Sequence, residues 1–468
     1  MKKLIHKDFL LFNKTGVRLF HEVAKALPVI DYHNHLNPLH LAENKKFDNL
    51  AQLWITSDPY KHRAMRIHGI PEQGISGEAE PYDKYMHWVK TLPHTLGNPL
   101  FHWNALELKR VFGIDKILNE KNAKKIWKHC NALLQEDGFG ATDILKKFNT
   151  EMLCTSDDLL DDYQSHLAVG VNHKKLKVLP SLRADSILAF HQPNHAEWME
   201  KLMALSGIQV HSLVDYEEAI MKRLQVLDQA GCRFSDHALD SGFTFQTTSA
   251  SAARKLFAKR LEKQMLPIDE RIQLQSYLLT FLGKAYADRG WTMQLHIGAQ
   301  RYTSSRLRKL AGPTGGFAAM GSACDIASLC AFLDSLEQEE KLPQTILYTL
   351  NPADNAPFAT LTGSFAEDGM PGKIQFGPAW WYNDHLEGME NQLTTLASHS
   401  LLSHFIGMTT DSRSILSFSR HEYFRRILCN WIGKQVEEGK FPDDFSLLKN
   451  LVERICYLNI KHRLTSKN

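Results

Sequence analysis

Eight short runs, rich in β-branched or bulky apolar residues and closing on polar side chains, recur along this chain at 30–35, 152–157, 177–183, 231–237, 292–298, 345–350, 373–380 and 404–411. Helix-length spacers lie between most of them, at 216–230, 253–290, 323–340 and 384–402. Strand alternating with helix implies parallel strands joined by right-handed crossovers. Eight repeats of that unit predict closure into a (β/α)₈ TIM-type barrel, with an open doubly wound sheet as the runner-up. In either case the polar strand ends gather at one edge of the sheet, where chemistry collects.

Two stretches do not follow this rhythm. Residues 45–150 carry helical patterns at 50–55, 85–92, 103–112 and 123–135, punctuated by Pro59, Pro71, Pro81, Pro93 and Pro99 and by Gly69, Gly74, Gly77 and Gly97. They read as a helical insertion covering one end of the barrel. The tail reads as two amphipathic helices, 420–438 and 445–461, separated by Gly439 and Pro442. The expected division is an N-terminal helix with the first strand (1–44), the insertion (45–150), the rest of the barrel (151–418), and C-terminal helices packed on it (419–468).

Charge restricts the possible partners. With 55 basic and 52 acidic residues the net charge is +3, which gives no electrostatic reason to expect nucleic acid or an anionic membrane. No uncharged run is apolar enough to span a bilayer. The N-terminal region is interrupted by Lys7, Asp8 and Lys14, unlike a secretory signal. Seven scattered cysteines without a Cys-x-x-Cys pair suit reduced thiols. The expectation is a cytoplasmic protein.

The first run, Val29-Ile30-Asp31-Tyr32-His33-Asn34-His35-Leu36, places two histidines at alternate positions near a strand end, half of a transition-metal site. A His-x-His alone is commonplace. Its weight comes from what the other strand ends add: Asp157 or Asp158, Arg183, Asp236 and His237, His296, Trp380 and Trp381, and Asp411 with Arg413. Taken singly, these have ordinary explanations: the aspartates as helix caps, His296 as a core histidine, the arginines as ion-pair partners. Together, His33, His35, His296 and Asp411 form a mixed nitrogen and oxygen set suited to Zn²⁺, Mn²⁺, Fe²⁺ or Co²⁺. Run 231–237 contains no lysine able to bridge two metals, so a single ion is expected.

Several motifs resemble the uronate (glucuronate) isomerase family. They include Asp31-Tyr32-His33-Asn34-His35, Tyr60-Lys61-His62-Arg63, Gly97-Asn98-Pro99-Leu100, Ser235-Asp236-His237, Met293-Gln294-Leu295-His296-Ile297-Gly298, Trp380-Trp381, Gly407-Met408-Thr409-Thr410-Asp411-Ser412-Arg413 and Arg420-His421-Glu422-Tyr423-Phe424-Arg425. The resemblance runs from about residue 7 to about residue 460. It implies a barrel of the metal-dependent hydrolase (amidohydrolase) superfamily that interconverts D-glucuronate with D-fructuronate and D-galacturonate with D-tagaturonate. By that resemblance His33, His35 and Asp411 hold one divalent ion, zinc before Mn, Fe or Co, with His296 as a further ligand or hydrogen-bond partner. Asp411 also moves the proton, assisted by Tyr60 and Arg413, while Tyr60, Arg183, Arg413 and Trp381 contact the sugar acid.

Three positions depart from the family pattern. Asp58-Pro59-Tyr60 replaces Asp-His-Tyr, Tyr302-Thr303-Ser304 replaces an asparagine-rich run, and Ala318 replaces an aspartate. The alternative activity, from the same ligands, is metal-assisted hydrolysis of a lactone or amide. A small sugar acid is the expected partner, with no nucleic acid or membrane and with self-assembly into a homo-oligomer open.

Overall fold

The computed structural model describes residues 3–465. Its centre is a curled, wholly parallel sheet of strands β1 (Val29–Asn34), β2 (Thr150–Asp158), β3 (Lys177–Arg183), β4 (Phe234–Leu239), β5 (Thr292–Ile297), β8 (Thr345–Thr349) and β9 (Ile374–Phe376), hydrogen-bonded in that order. Two residues each from β6 (Ala299–Gln300) and β7 (Ala319–Met320) form a small antiparallel ribbon beyond β5. The TIM-type barrel is thereby confirmed, and seven of the eight expected runs form strands in its sheet.

The eighth run forms no ladder. Its beginning lies beside Gly372, two residues ahead of β9, where an added Cβ would sit 3.5 Å from His404 Cβ. Its end lies on β1: Asp411 N–H donates to the His33 carbonyl (3.0 Å) and His35 N–H to the Ser412 carbonyl (2.9 Å). A regular strand requires extended backbone throughout, whereas Gly407 (φ +78°) and Asp411 (φ +45°) are left-handed. Between them the Thr409 hydroxyl accepts the His33 N–H (2.9 Å), a place that a backbone carbonyl would take in a ladder. The run closes the ring through side chains and isolated backbone bonds.

Two other strand limits differ from expectation for simple reasons. Strand β4 begins at Phe234 because Gly231, at φ +91°, is still turning out of the preceding helix. Strand β9 stops at Phe376 because Pro378 has no N–H to give the ladder.

The barrel interior is lined by residues two apart on three strands, Ile30 and Tyr32, Met152 and Cys154, Ile346 and Tyr348, all buried. Strict alternation would send His33 to the opposite face from Tyr32. The register slips between Asp31 and Asn34, and His33 meets His296, whose ring stacks on Tyr348 (4.3 Å between centroids). Such irregularities re-aim a side chain, and here the slip brings a ligand-type residue to the mouth.

Residues between β1 and β2 are helical, as expected, with no strand among them. Pro59, Pro81 and Pro99 each occupy the first turn of a helix (Pro59–Ile67, Pro81–Thr91 and Pro99–Phe112), where a missing N–H costs nothing. Asp58 caps the first of these, accepting from the backbone N–H groups of Tyr60 (2.9 Å) and Lys61 (3.2 Å). That cap fixes where Tyr60 enters the pocket.

The C-terminal helix Ser419–Glu437 is buried along most of its length and carries Arg420 and His421 beneath the site. The expected final helix over 445–461 is broken into Phe445–Glu453, a π-helical turn at Arg454–Leu458, and Asn459–Thr465.

Candidate active site

The eight residues given a role from sequence, His33, His35, Tyr60, Arg183, His296, Trp381, Asp411 and Arg413, line one pocket at the C-terminal mouth of the barrel, whereas Asp157, Asp158 and His237, also named at strand ends, are not part of its lining. Asp236, Arg301 and Trp380 join them.

Asp411 sits between the two histidines of β1. Its Oδ1 lies 2.9 Å from His35 Nε2 and 3.2 Å from His33 Nε2, and its Oδ2 accepts from the Trp380 indole N–H. Burial raises the cost of its charge, but hydrogen bonds from His33 and His35 outweigh it and hold the carboxyl well below the usual range. Burial pulls His35 down, favouring the neutral imidazole that a metal needs. His33 is also pulled down by burial, yet the carboxylates of Asp236 and Asp411 more than reverse this.

On the other side of His33, Asp236 Oδ1 accepts from His296 Nδ1 at 2.6 Å, and its Oδ2 lies 3.9 Å from His33 Nε2. Burial works against the Asp236 charge, but His296, His33 and Arg183 together keep it ionised. Two overlapping donor groups result, His33–His35–Asp411 and His33–Asp236–His296, each with donor atoms within 4.8 Å of one another.

This set fits a divalent cation. His296 binds a carboxylate through Nδ1 while its Nε2 is buried without a partner, as in an imidazole whose free nitrogen is reserved for an ion. An unsatisfied buried nitrogen otherwise costs about 1–3 kcal/mol.

Guanidinium groups form the opposite wall. Arg183 pairs with Asp185 (3.0 Å) and Arg301 with Asp240 (2.7 Å). Arg413, half-buried, has no hydrogen-bond or ion-pair partner among the described residues. Burial lowers its pKa; Asp411 opposes this, and Arg183 and Arg301 push the same way as burial. An anionic group entering here meets a cation that the protein has not neutralised.

Tyr60 stands on the insertion side. Its hydroxyl donates to Asp384 Oδ2 (2.9 Å), the oxygen that also accepts from Arg420 Nη1 (3.2 Å). The Arg420 guanidinium lies over the Tyr60 ring (4.7 Å) and the Trp103 ring (3.8 Å), so the phenol is held on two sides.

Comparison with known proteins decides the family. A family profile described as glucuronate isomerase matches residues 1–463. The chain belongs to the glucuronate (uronate) isomerase family. The uronate isomerase of Bacillus licheniformis is 45% identical over 99% of this chain and 98% of its own, and that of Haemophilus influenzae is 42% identical over 99% of both. A crystal structure of the Thermotoga maritima uronate isomerase superposes with a TM-score of 0.92 at 32% identity, covering 98% of this chain and 99% of that one. A metal-dependent hydrolase from Lactobacillus casei has a TM-score of 0.52 at 12% identity, a likeness of fold alone. No helix among the described residues is long and apolar enough to cross a membrane.

Within this uronate isomerase family member, two of the three departures fall on the pocket wall. Pro59 and Ala318 both line it, while Tyr302 is exposed beside it. The loop carrying Ala318 closes tightly on Pro59: a Cβ on Gly316 would lie 2.3 Å from the Pro59 carbonyl oxygen, and its φ of +78° suits glycine.

Sequence reading left Asp236, Arg301, Asp384 and Arg420 without a role in the site. Asp236 was visible at a strand end, in the same position as its accepted neighbours. Asp384 and Arg420 meet only through tertiary packing between a loop and the C-terminal helix, and no local pattern marks that pair.

Proposed function

We propose that this chain is a uronate isomerase, interconverting D-glucuronate with D-fructuronate and D-galacturonate with D-tagaturonate. The observation that carries this reading is a metal-type donor cluster facing an unpaired Arg413 within one pocket, in a chain belonging to this family. Isomerisation moves a proton from C2 to C1 through an enediolate, so it needs a base, a proton donor near the carbonyl, and cationic stabilisation of the developing oxyanion.

The residues supply each part. Arg413 and Arg183 bind the carboxylate of the sugar acid, because guanidinium stays charged and offers paired donors. Trp381 forms an apolar wall for the sugar ring or chain. Asp411 takes the C2 proton and returns it to C1. Its position between His33 and His35 fixes the carboxylate direction, and displacement of water by bound substrate strengthens it as a base. Tyr60 donates to the carbonyl oxygen as it gains charge.

His33, His35 and Asp411 would hold one divalent ion, zinc before manganese, iron or cobalt, with His296 as a further ligand or an orienting partner. Bound there, it would supply Lewis-acid polarisation of the substrate carbonyl and neutralise enediolate charge. Asp236 orients the His296 ring through Nδ1.

The test is direct. Purified metal-replete protein is incubated with each uronate and ketose formation is followed. Turnover of at least one is expected, and failure with both overturns the assignment.

A further inference from the structure

The Tyr60 hydroxyl has one proton and two lone pairs, and the protein has already claimed the proton. With Asp384 ionised, Tyr60 donates to its Oδ2 at 2.9 Å and has only lone pairs left for the pocket. In that state it accepts from a substrate hydroxyl but cannot donate to a carbonyl. With Asp384 protonated, the carboxyl is a poor acceptor, and the phenolic proton is released toward substrate. We propose that Asp384 is a positioning residue that sets the direction of the Tyr60 hydrogen bond, switching it between acceptor and donor toward the sugar.

The geometry is built for this. Arg420 Nη1 reaches the same Oδ2 at 3.2 Å, and its guanidinium lies across the Tyr60 ring, so neither partner is free to turn away. Every element around Asp384 presents a titratable or charged group. The helix Pro59–Ile67 and its cap bring Tyr60 and Asp58; the helix Ser419–Glu437 brings Arg420 and Tyr423; the run ending on β1 brings Asp411. Asp58 is engaged by Lys61 (2.5 Å), so Arg420 is the main cation facing Asp384. Burial pushes the Asp384 carboxyl up to about 7, against the pull of Arg420 and the Tyr60 hydrogen bond and with the push of Asp411 and Asp58. The donor form of Tyr60 therefore predominates below about pH 7 and is lost above it. Aldose-to-ketose turnover should fall as pH rises through that region.

This inference rests on the isomerase reading. Full-length metal-loaded wild type, Asp384→Asn, Tyr60→Phe and the double variant are assayed for kcat and KM on D-glucuronate across the pH range around neutrality. Asp384→Asn keeps the shape but cannot titrate. It should lower kcat by about tenfold to a hundredfold, the scale for losing a group that orients an acid–base residue. Its pH profile should lose the limb near 7, and so should that of Tyr60→Phe. In the Tyr60→Phe background, Asp384→Asn should cost little more, because it acts through that hydroxyl. A persistent limb in either single variant, or losses that multiply in the double variant, would overturn the proposal. If Asp384→Asn does not fold, Tyr60→Phe decides alone, since it leaves the Asp384–Arg420 pair intact. A wild type that turns over neither uronate sinks the isomerase reading itself, and that outcome is distinct from turnover with an unchanged profile.

Discussion

Arg413 is where a single side chain says most about substrate. A half-buried guanidinium with no ion-pair partner among the described residues is unfavourable unless a ligand neutralises it. Arg413→Met should raise KM for either uronate by roughly tenfold to 150-fold, from the loss of about 1.5–3 kcal/mol of charge-assisted hydrogen bonding. Steady-state kinetics check this, and a smaller effect on kcat is expected because the carboxylate stays remote from the reacting carbons. An unchanged KM would place the carboxylate elsewhere, against Arg183 or Arg301. At this scale most polar residues that closed a strand run were readable, though Asp157 bonds Thr155 and His237 bonds Tyr286 away from the pocket. His33, His35, Arg183, His296 and Asp411 could all be located from the pattern, and all line the pocket. Asp384 could not, because nothing local distinguishes a loop aspartate that meets a buried arginine from one that meets water.

Between elements, the pocket depends on the loop that packs against the first turn of the helix Pro59–Ile67. Gly316 makes that approach possible by having no Cβ and by adopting φ +78°. Gly316→Ala brings a left-handed penalty of about 1–2 kcal/mol and a carbon that collides with the Pro59 carbonyl. The loop must shift away, taking the Tyr60 side of the pocket with it. A fall in kcat/KM of at least about tenfold is expected, with circular dichroism unchanged; full activity would show that this contact does not shape the site.

Most helices and strands were legible, but the bend in run 404–411 and the register slip in β1 were not. The run 404–411 looked like a strand because it is apolar and β-branched. Its left-handed Gly407 and Asp411 bend it out of the ladder, and that bend sets Asp411 against both histidines. The two-residue period suggested that His33 and His35 share a face, and both do reach the same Asp411 oxygen; what it could not show is how His33 meets the next histidine. A register slip in β1 brings His33 to His296, a departure that propensity does not encode.

For the molecule as a whole, the barrel gathers residues spread from position 33 to position 413 at one mouth, and the insertion brings Tyr60 over it. The alternating pattern predicted that convergence, because parallel strands must end together. How the insertion packs, and how the C-terminal helix places Arg420 beneath Tyr60, followed from tertiary contacts alone.

The measurement that bears most directly on the central claim is loss of deuterium from C2 of C2-deuterated D-glucuronate and D-galacturonate, followed both to C1 of the ketose and to solvent. It uses metal-loaded wild type beside Asp411→Asn. The account predicts ketose formation with the C2 deuterium moved to C1 or released to water in wild type, and a rate at least about a hundredfold slower in Asp411→Asn. Deuterium kept at C2 of both sugars in wild type, or undiminished loss from C2 in Asp411→Asn, would contradict it.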